Sequence, residues 1–373
     1  MKVLHINCNY VGTALHRTTI RFLREEGGEH FVFAPTDGRR EWESFQPQAG
    51  EIVKKCFRKI DRYLFFLKQA KIRRNVERAY NIASFDCLHA YTVFTDGNAA
   101  MRLAEKYKKP FVVAVRNTDV NGFFKYRVLL RPLGVKILLR AKAVFFLSET
   151  YRTTLLQKYI PKRYRQKILE KSRVVPNGID PFWLENVPPT RTAADETRVQ
   201  NGGIRLLYVG TLVPRKKALT VAKAVEIMNR NGMHIQLTVV GKPIDMDILN
   251  ALKCSPDVIY HAACPKEELI RFYRENDIFV MPSRDETFGL VYAEAMSQGL
   301  PVIYGVGEGF DGQFPDGTVG FPAEPDSPED VAEKIQKIAD DYGQIAGRCP
   351  ALAERFDWKK IVREYISVYK KFI

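Results

Sequence analysis

The sequence predicts an α/β protein of two doubly wound, Rossmann-like domains. Its 373 residues exceed what one hydrophobic core usually supports. Short apolar runs alternate with amphipathic stretches along the whole chain, a pattern typical of β-α-β units and parallel sheets. The segment 185–203 is rich in Pro, Thr, Asp, Asn and Gly and therefore reads as a linker. We expect domains over 1–184 and 204–355 and a terminal helix over 356–373.

The strands are assigned to the short apolar runs that end in turn residues. In the first half, these runs are 2–8, 29–34, 87–89, 111–115, 143–147 and 172–175. In the second half, they are 204–209, 235–240, 258–261, 278–281 and 301–304. Helical patterns lie between them, for example at 220–231 and 265–274. Ligands of such sheets bind beyond the carboxyl ends of the strands, so the candidate functional residues are sought there.

Composition narrows the class of protein. A hydrophobic content of 46% is ordinary for a folded chain. The six cysteines are scattered without metal-ligand spacing, so we interpret them as reduced thiols. The N-terminal apolar run is too short for a signal peptide, and no apolar stretch reaches the length of a membrane span. These features predict a cytoplasmic protein that can lie peripherally on the inner face of the cytoplasmic membrane.

Charge is unevenly distributed along the chain. Residues 1–180 contain 35 Lys and Arg but 16 Asp and Glu, whereas the remaining residues contain 23 and 27. A basic half beside a mildly acidic half predicts an anionic partner for the first domain, such as phospholipid, nucleic acid or an acidic glycan. No nucleic-acid recognition motif accompanies the charge, so nucleic acid is not expected.

Two basic stretches carry much of this excess. The segments 52–80 and 123–146 are helical in pattern and mix Lys and Arg with apolar residues that include Phe57, Leu64 and Phe65. Basic amphipathic helices with aromatic residues suit an anionic membrane surface. The alternative is a core-packing face with a solvated basic edge, and the sequence leaves both open.

In the second half, candidate phosphate ligands follow the first strand. Gly210 and Thr211 begin a loop that ends in Arg215, Lys216 and Lys217 just before a helix. Cations and unpaired N–H groups at a helix N-terminus suit a diphosphate, although a solvated basic loop is an equal alternative. Gly241 ends the second strand. The nearby Asp245 and Asp247 fit the start of a helix better than a metal site, so no metal is expected.

The segment 282–303 (PSRDETFGLVYAEAMSQGLPVI) is the most informative part of the sequence. Gly289 at a strand-to-helix junction would let the amides of Phe288, Gly289 and Leu290 approach a phosphate. Glu286 in the loop could reach the hydroxyls of a sugar. Glu294 lies in an otherwise apolar helical stretch, where a carboxylate needs a partner, and two ribose hydroxyls would supply one.

With these residues, the chain resembles the family 4 retaining glycosyltransferases (glycosyl transferases group 1) of GT-B fold, in which two Rossmann-like domains face a cleft. The similarity extends to VVPNGID (174–180), YVGTLVPRKK (208–217), GEGFDGQFPDGTVGF (307–321) and the C-terminal FDWKKIVREYISVYKKF (356–372). The resemblance implies that Lys216 binds the diphosphate of a nucleotide sugar such as a UDP- or GDP-sugar, Glu286 its sugar and Glu294 its ribose. It also implies transfer with retention, without metal or cofactor, and a terminal helix that packs on the first domain.

The first half is similar to the family through HAYTVFTDGNAA (89–100) and VVAVRNTDVNGF (112–123). Arg116 stands where the family has a histidine, and Thr211 where it usually has an arginine, which Arg215 would replace. Arg116 and Asp119 are therefore added to Glu286 and Lys216 as candidate catalytic residues. Three further residues complete the set: Gly12 on the donor side, and His89 and Asn117 on the acceptor side.

The sequence therefore predicts a hexosyltransferase that moves a sugar to a hydroxyl of a glycan or lipid-linked acceptor, in bacterial surface polysaccharide or lipopolysaccharide biosynthesis. Two alternatives remain open at this stage. One is a nucleotide-sugar-binding protein without transfer, for which the departures at Arg116 and Thr211 are the motive. The other is a GT-B epimerase, which acts without an acceptor.

Overall fold

The computed structural model describes residues 1–38, 45–188 and 192–373. The chain forms two compact units. The first comprises Met1–Asn177 together with Trp358–Ile373, and the second comprises Gly178–Asp357. Each unit is built on a parallel sheet with helices on its faces, so the predicted fold class of two doubly wound α/β domains is confirmed.

The first unit contains a seven-stranded sheet of order β3-β2-β1-β4-β5-β6-β7, in which every pair is parallel. Its strands are β1 Lys2–Ile6, β2 Glu29–Thr36, β3 Glu51–Lys55, β4 Cys87–Ala90, β5 Phe111–Val115, β6 Ala143–Phe146 and β7 Ser172–Val174. Its helices are α1 Ala14–Glu25, α2 Phe65–Ala79, α3 Gly97–Tyr107, α4 Arg131–Arg140, α5 Glu149–Lys158, α6 Lys162–Leu169 and the terminal helix α15 Trp358–Tyr369. A π-helix at Thr118–Phe124 and short 3₁₀ turns at Lys59–Arg62, Ile82–Ser84 and Val128–Leu130 complete the described elements.

Two apolar cores lie on the opposite faces of this sheet. The terminal helix α15 belongs to one of them, because Trp358 stacks on Phe22 of α1 with ring centroids 6.1 Å apart. An ion pair between Arg363 and Glu26, 2.7 Å apart, joins the same two helices at the surface. The last helix of the chain thus completes the core of the first unit.

The second unit contains a six-stranded parallel sheet of order β10-β9-β8-β11-β12-β13. Its strands are β8 Arg205–Val209, β9 Gln236–Val240, β10 Val258–His261, β11 Ile278–Met281, β12 Val302–Gly305 and β13 Gly320–Ala323. Its helices are α7 Pro181–Glu185, α8 Ala193–Gln200, α9 Ala218–Arg230, α10 Met246–Lys253, α11 Lys266–Glu275, α12 Leu290–Ser297, α13 Pro328–Asp340 and α14 Tyr342–Ala353. Single 3₁₀ turns lie at Pro214–Lys216 and Glu354–Phe356.

Several helices begin where short polar side chains cap them. Thr13, Ser148 and Ser327 each accept a hydrogen bond from a backbone N–H in the first turn of α1, α5 and α13. Asp245 accepts from the N–H groups of Asp247 and Ile248 and so caps α10. This is the helix-start role that the sequence favoured over a metal site at these two aspartates.

The basic stretch 52–80 is not one helix. It contains the end of β3, a 3₁₀ turn at Lys59–Arg62 and then α2. The lysine-rich beginning of this stretch is the edge strand β3, in which Ile52 and Val53 pair with Phe33 and Ala34 of β2. The stretch 123–146 is likewise divided between the end of the π-helix, α4 and β6. The helical interpretation of both stretches was therefore wrong in part.

The segment 185–203, predicted as a linker, is also partly structured. Residues 189–191 lie outside the described residues, but α8 follows them and belongs to the second unit. The side chains of Thr192 and Asp195 form a capping box at its start. The structure divides the units at Asn177 and Gly178 rather than at 184. Among the described residues, no helix has both the length and the apolar character needed to cross a membrane.

Candidate functional site

The candidate donor residues gather at the carboxyl edge of the second sheet. Three of its βα connections contribute: the loop after β8, the residue Gly241 after β9 and the loop 282–289 after β11. Strands β8, β9 and β11 are neighbours in the sheet, so their ends lie side by side. This edge is where ligands of doubly wound sheets bind.

An ion pair joins Lys216 and Glu286, which are 70 residues apart in sequence. Both side chains are 13% exposed, so the pair is largely withdrawn from solvent. The Lys216 ammonium also lies 3.8 Å from Sδ of Met281, the last residue of β11. The structure therefore brings together the cation and the carboxylate that the sequence assigned to diphosphate and sugar.

The backbone of Glu286 is fixed by a residue that the sequence did not single out. Its N–H donates to a carboxylate oxygen of Glu308 over 2.8 Å, and its carbonyl accepts from the N–H of Gly309 over 3.1 Å. Burial raises the pKa of Glu308. Glu308 lies within the glycine-rich stretch 307–321, and a carboxylate among glycines was the signal that could have identified it.

The start of α12 has the geometry expected for an anion-binding loop. Gly289 precedes the helix with φ +76°, a conformation that favours glycine. Phe288 is buried between Phe310 and Phe356, with ring centroids 6.1 and 5.7 Å away, so its backbone is held in place. The amides of Phe288, Gly289 and Leu290 are thus placed at a helix N-terminus, where unpaired N–H groups attract anions.

Glu294 lies on α12, half-buried, and has the partner that its apolar surroundings require. The hydroxyl of Tyr273 donates to Oε2 of Glu294 over 3.4 Å. Burial raises the pKa of the Glu294 carboxyl to about 7, and the nearby charge of Asp180 acts in the same direction. This carboxyl therefore changes its protonation state near neutral pH.

Gly210 and Gly241 lie where two strand ends approach each other. The N–H of Gly210 donates to the carbonyl of Val240 over 3.0 Å. A Cβ added at Gly241 would lie 2.8 Å from the carbonyl carbon of Gly210 and closer still to its oxygen, so no larger residue fits there. Thr211 and Arg215 are exposed beside this contact, and Arg215 accepts a hydrogen bond from the N–H of Arg284 through its carbonyl.

In the first unit, the structure gives Asp119 a structural role. The residue is 1% exposed, and its carboxylate accepts from the N–H groups of Val93, Phe94 and Arg116 over 3.1, 3.3 and 3.0 Å. It therefore joins the connections that follow β4 and β5. Burial raises its pKa to about 7, despite these three donors. The prediction that Asp119 contacts a substrate is wrong, because the carboxylate is buried beneath the backbone that it holds.

Arg116 and Asn117 follow β5 and are half-buried. The Arg116 guanidinium lies 3.5 Å from Oδ1 of Asn177 and is hydrogen-bonded to the Tyr365 hydroxyl. Its Nε has no hydrogen-bond partner among the described residues. Asn117 accepts from the side-chain amide of Asn121 over 2.8 Å. Both residues stay at the carboxyl edge of the first sheet, as predicted.

His89 is in the core rather than at the surface. It is 1% exposed, stacks on Tyr91 at 4.5 Å and lies 2.7 Å from the Tyr369 hydroxyl of α15 through Nδ1. Burial holds its pKa well below the usual range. Its predicted contact with an acceptor is wrong, because α15 covers the ring. His5 and His30 lie in the same cluster, 2.9 Å apart between ring nitrogens, and burial lowers the pKa of both.

Gly12 lies in the connection after β1 and is exposed. A Cβ added there would have only the Asn9 carbonyl within 4 Å, so packing does not require glycine at this position. Across the described residues, no group of three or more His, Cys, Asp or Glu side chains has the arrangement of a metal site.

Two family models match successive parts of the chain. The model described as "Glycosyltransferase Family 4" matches residues 16–182. The model described as "Glycosyl transferases group 1" matches residues 190–356. The two matched segments together account for most of the chain.

Similar proteins have been found by sequence and by structure. The α-monoglucosyldiacylglycerol synthase of Streptococcus pneumoniae is 28% identical over 252 residues, which are 62% of this chain and 54% of that protein. Several of the curated relatives, like this one, are matched over only about half their length. The lipopolysaccharide outer core galactosyltransferase WaaB shares the fold, with a TM-score of 0.75, 17% identity and full coverage of both chains. Anabaena HepE in complex with UDP gives a TM-score of 0.72 at 16% identity, again over both full chains.

Proposed function

The chain belongs to glycosyltransferase family 4 and has the GT-B fold, and on that premise we propose that it transfers a sugar from a nucleotide diphosphate donor to a hydroxyl acceptor with retention at the anomeric carbon. The observation that carries this proposal is the ion pair of Lys216 with Glu286 at the carboxyl edge of the second sheet. Its cation suits a diphosphate and its carboxylate suits sugar hydroxyls.

In this proposal, the donor lies along the second unit. Lys216, Arg215 and the amides around Gly289 hold the diphosphate, and Glu294 accepts hydrogen bonds from the ribose. Glu286, positioned by Glu308, accepts from the sugar. The complex of HepE with UDP supports a uridine donor for a protein of this fold. Ligand phosphates would compete with Glu286 for Lys216, so donor binding opens the ion pair and frees the carboxylate for the sugar.

The chemical step needs no dedicated nucleophile. The bond between the anomeric carbon and the phosphate oxygen breaks while the acceptor oxygen bonds to that carbon on the same face. The acceptor proton passes to the leaving phosphate. The protein supplies position and stabilises the negative charge that develops on the diphosphate. We propose that Lys216, Arg215 and the helix amides perform the charge stabilisation without a metal ion.

The acceptor is a glycan or lipid-linked hydroxyl, which we place at the carboxyl edge of the first sheet beside Arg116 and Asn117. The similarity to an α-monoglucosyldiacylglycerol synthase and to a lipopolysaccharide outer core galactosyltransferase supports this class of acceptor. The excess positive charge of residues 1–180 supports action at an anionic membrane surface.

The test is turnover of a panel of UDP-, GDP- and ADP-sugars with a bacterial lipid extract, in which released nucleotide and glycosylated product are both measured. Lys216→Ala should weaken donor binding by about 10- to 100-fold, since a hydrogen bond to a charged group contributes about 1.5–3 kcal/mol. Glu286→Gln should lower kcat strongly and change KM little. Lys223→Ala is the matched control, because this lysine is exposed on α9.

Each part of the proposal has its own contradicting result. Equal turnover in Lys216→Ala and Lys223→Ala would remove the donor assignment. Inverted anomeric configuration in the product, read by NMR, would remove retention. Loss of activity in EDTA that a divalent cation restores would remove the metal-free mechanism. Tight nucleotide binding without transfer to any acceptor would leave a nucleotide-sugar-binding protein.

A further inference from the structure

The exposed apolar residues of the first unit are concentrated in two connections that meet. One connection follows β3 and is taken together with the first turn of α2 as residues 56–67, and the other, 116–130, follows β5 and leads into α4. Their aromatic residues join them: Phe65 lies 6.3 Å from Phe123, which stacks on Phe94 at 4.7 Å. Both connections leave the carboxyl ends of strands, so the surface they form is at the same edge of the sheet as Arg116.

This surface, which we name the apolar rim, comprises Tyr63, Leu64, Phe66, Tyr126, Val128 and Leu129. All six side chains are exposed, and the exposed fraction reaches 85% for Tyr63, 66% for Phe66 and 95% for Leu129. They line a groove of about 870 Å³ together with Arg127 and Leu130. A contiguous apolar surface of this kind on a folded domain marks an interaction site.

The charge around the apolar rim indicates what covers it. Between residues 52 and 76 there are nine Lys and Arg, and the single acidic residue is Asp61. Asp61 is 4% exposed and its carboxylate is bonded to Lys71 and to the backbone N–H of Arg58, so it offers little negative charge to the surface. Between residues 120 and 148 the sequence has six Lys and Arg and no acidic residue. An apolar surface within a positively charged one is complementary to an anionic bilayer.

A smaller cavity of about 190 Å³ shares Phe66 with the rim. Its lining includes Arg73, Arg102, Asn98 and the buried Gln69. Within the described chain, Oε1 of Gln69 and Nε of Arg73 are buried without a hydrogen-bond partner. Gln69 is itself fixed, because its amide donates to the carbonyl of Thr95 over 3.0 Å. Arg102 forms an ion pair with Glu105, 3.7 Å apart.

Two arginines beside an unused acceptor suit a ligand that carries both an anion and a hydroxyl. A phosphate would bind the guanidinium groups, and a hydroxyl would donate to Oε1 of Gln69. Phospholipids with a hydroxylated, anionic head group combine these features with acyl chains that could lie on the apolar rim. We propose that the apolar rim inserts into an anionic phospholipid bilayer while this cavity binds the head group of one hydroxylated phospholipid. This assigns the membrane contact proposed above to a defined surface, and it is independent of sugar transfer.

The experiment is flotation of the full chain with vesicles of phosphatidylcholine alone or mixed in equal parts with phosphatidylglycerol, without donor. The protein should float with the mixed vesicles and not with phosphatidylcholine alone. Phe66→Ser/Leu129→Ser should weaken the partition by about 100-fold, since each of these side chains contributes about tenfold or more when it leaves water. Val187→Ser/Met246→Ser removes two exposed apolar residues of the second unit and should bind as the unmodified protein does.

Binding of the head group in the cavity is tested with two arginines of helix α2. Arg73→Gln should reduce the preference for phosphatidylglycerol by about fivefold more than Arg78→Gln, because Arg78 is an exposed arginine of α2 outside the cavity. Equal losses for the two variants would leave only diffuse charge attraction and overturn the head-group assignment. Unchanged flotation of Phe66→Ser/Leu129→Ser would overturn insertion of the rim. A dimer in solution that this double variant abolishes would show that a second copy of the chain covers the rim instead.

Failure of the docking proposal can be told from failure of the proposed transfer. Flotation is measured without any nucleotide sugar. Turnover with a water-soluble acceptor or by donor hydrolysis is measured without vesicles. Without vesicles, the rim variants should release nucleotide as fast as the unmodified protein does. Lys216→Ala should float normally but lose turnover.

Discussion

Replacement of Gly289 by alanine should separate backbone strain from steric overlap at the candidate donor site. The residue has φ +76°, which costs an L-residue roughly 1–2 kcal/mol. An added Cβ would also lie 2.6 Å from Cδ2 of Tyr292 and closer to Cε2. Tyr292 cannot swing away freely, because its ring is buried and its hydroxyl donates to the Met281 carbonyl over 2.6 Å. Overpacking of this kind costs a further ~1–3 kcal/mol.

Gly232 is the matched control for this substitution. It has φ +90° and nothing within 4 Å of an added Cβ, and it lies at the end of α9, away from the candidate site. Gly232→Ala should therefore lower the stability of the second unit by the backbone cost alone. With a shift of about 2–4 °C per kcal/mol for a domain of this size, the expected falls in Tm are about 4 °C for Gly232→Ala and about 10 °C for Gly289→Ala.

Donor affinity gives the second measurement. Relief of the overlap with Tyr292 must move the start of α12, and with it the amides of Phe288, Gly289 and Leu290. Loss of one charge-assisted hydrogen bond should weaken UDP binding by about tenfold or more in a calorimetric titration of Gly289→Ala. Gly232→Ala should bind UDP as the unmodified protein does. Equal Tm values for the two variants, or unchanged UDP affinity in Gly289→Ala, would refute this reasoning.

Three further predictions concern ionisable groups. Because burial raises the pKa of Glu294 to about 7, UDP affinity should rise between pH 6 and pH 8 as this carboxyl ionises, and Glu294→Gln should abolish that rise in calorimetric titrations. Burial lowers the pKa of His30 to about 4 and of His16 to about 3, so both stay neutral when folded. Below pH 6.5 the unfolded chain takes up a proton on each of these histidines and the folded chain does not, so the free energy of unfolding should fall by about 1.4 kcal/mol per histidine for each pH unit. Urea unfolding of His30→Asn and of the unmodified chain across this pH range measures the contribution of His30. Asp277→Asn should lower the free energy of unfolding by about 3 kcal/mol, because it removes the ion pairs of a buried carboxylate with Arg198 and Arg205, and Asp340→Asn, at an exposed position of α13, is the matched control.

The sequence was most informative where local chemistry and topology agree. The strands at 111–115, 258–261 and 278–281 have their predicted bounds, because each is a short β-branched or aromatic run closed by a turn. The contact of Lys216 with Glu286 follows from such strand ends, since β8 and β11 are neighbours in the sheet. The strands β3 and β13 were missed because β3 is rich in lysine and β13 contains a proline, and both lie at sheet edges.

Other errors arose from contacts distant in sequence. His89 ends a strand as predicted, but Tyr369 of α15, 280 residues later, covers it. No local pattern around His89 contains that information. The role of Asp119 depends likewise on the amides of Val93 and Phe94, which follow a different strand. Helix α8 was a different kind of error, because the capping box of Thr192 and Asp195 was visible in the sequence.

The composition of the two basic stretches did not predict which of their apolar residues are exposed. The sequence predicted basic helices in which Phe57, Leu64 and Phe65 lie among lysines and arginines. In the structure Phe57 is buried and Phe65 packs on the core, and the exposed apolar residues come from the first turn of α2 and from the turns before α2 and α4. The core-packing alternative is therefore realised by Phe57 and Phe65, whereas the membrane surface stays a proposal that rests on other residues of the same stretches. The tests of membrane contact therefore belong on two residues that the structure exposes, Phe66 in the first turn of α2 and Leu129 in the turn before α4.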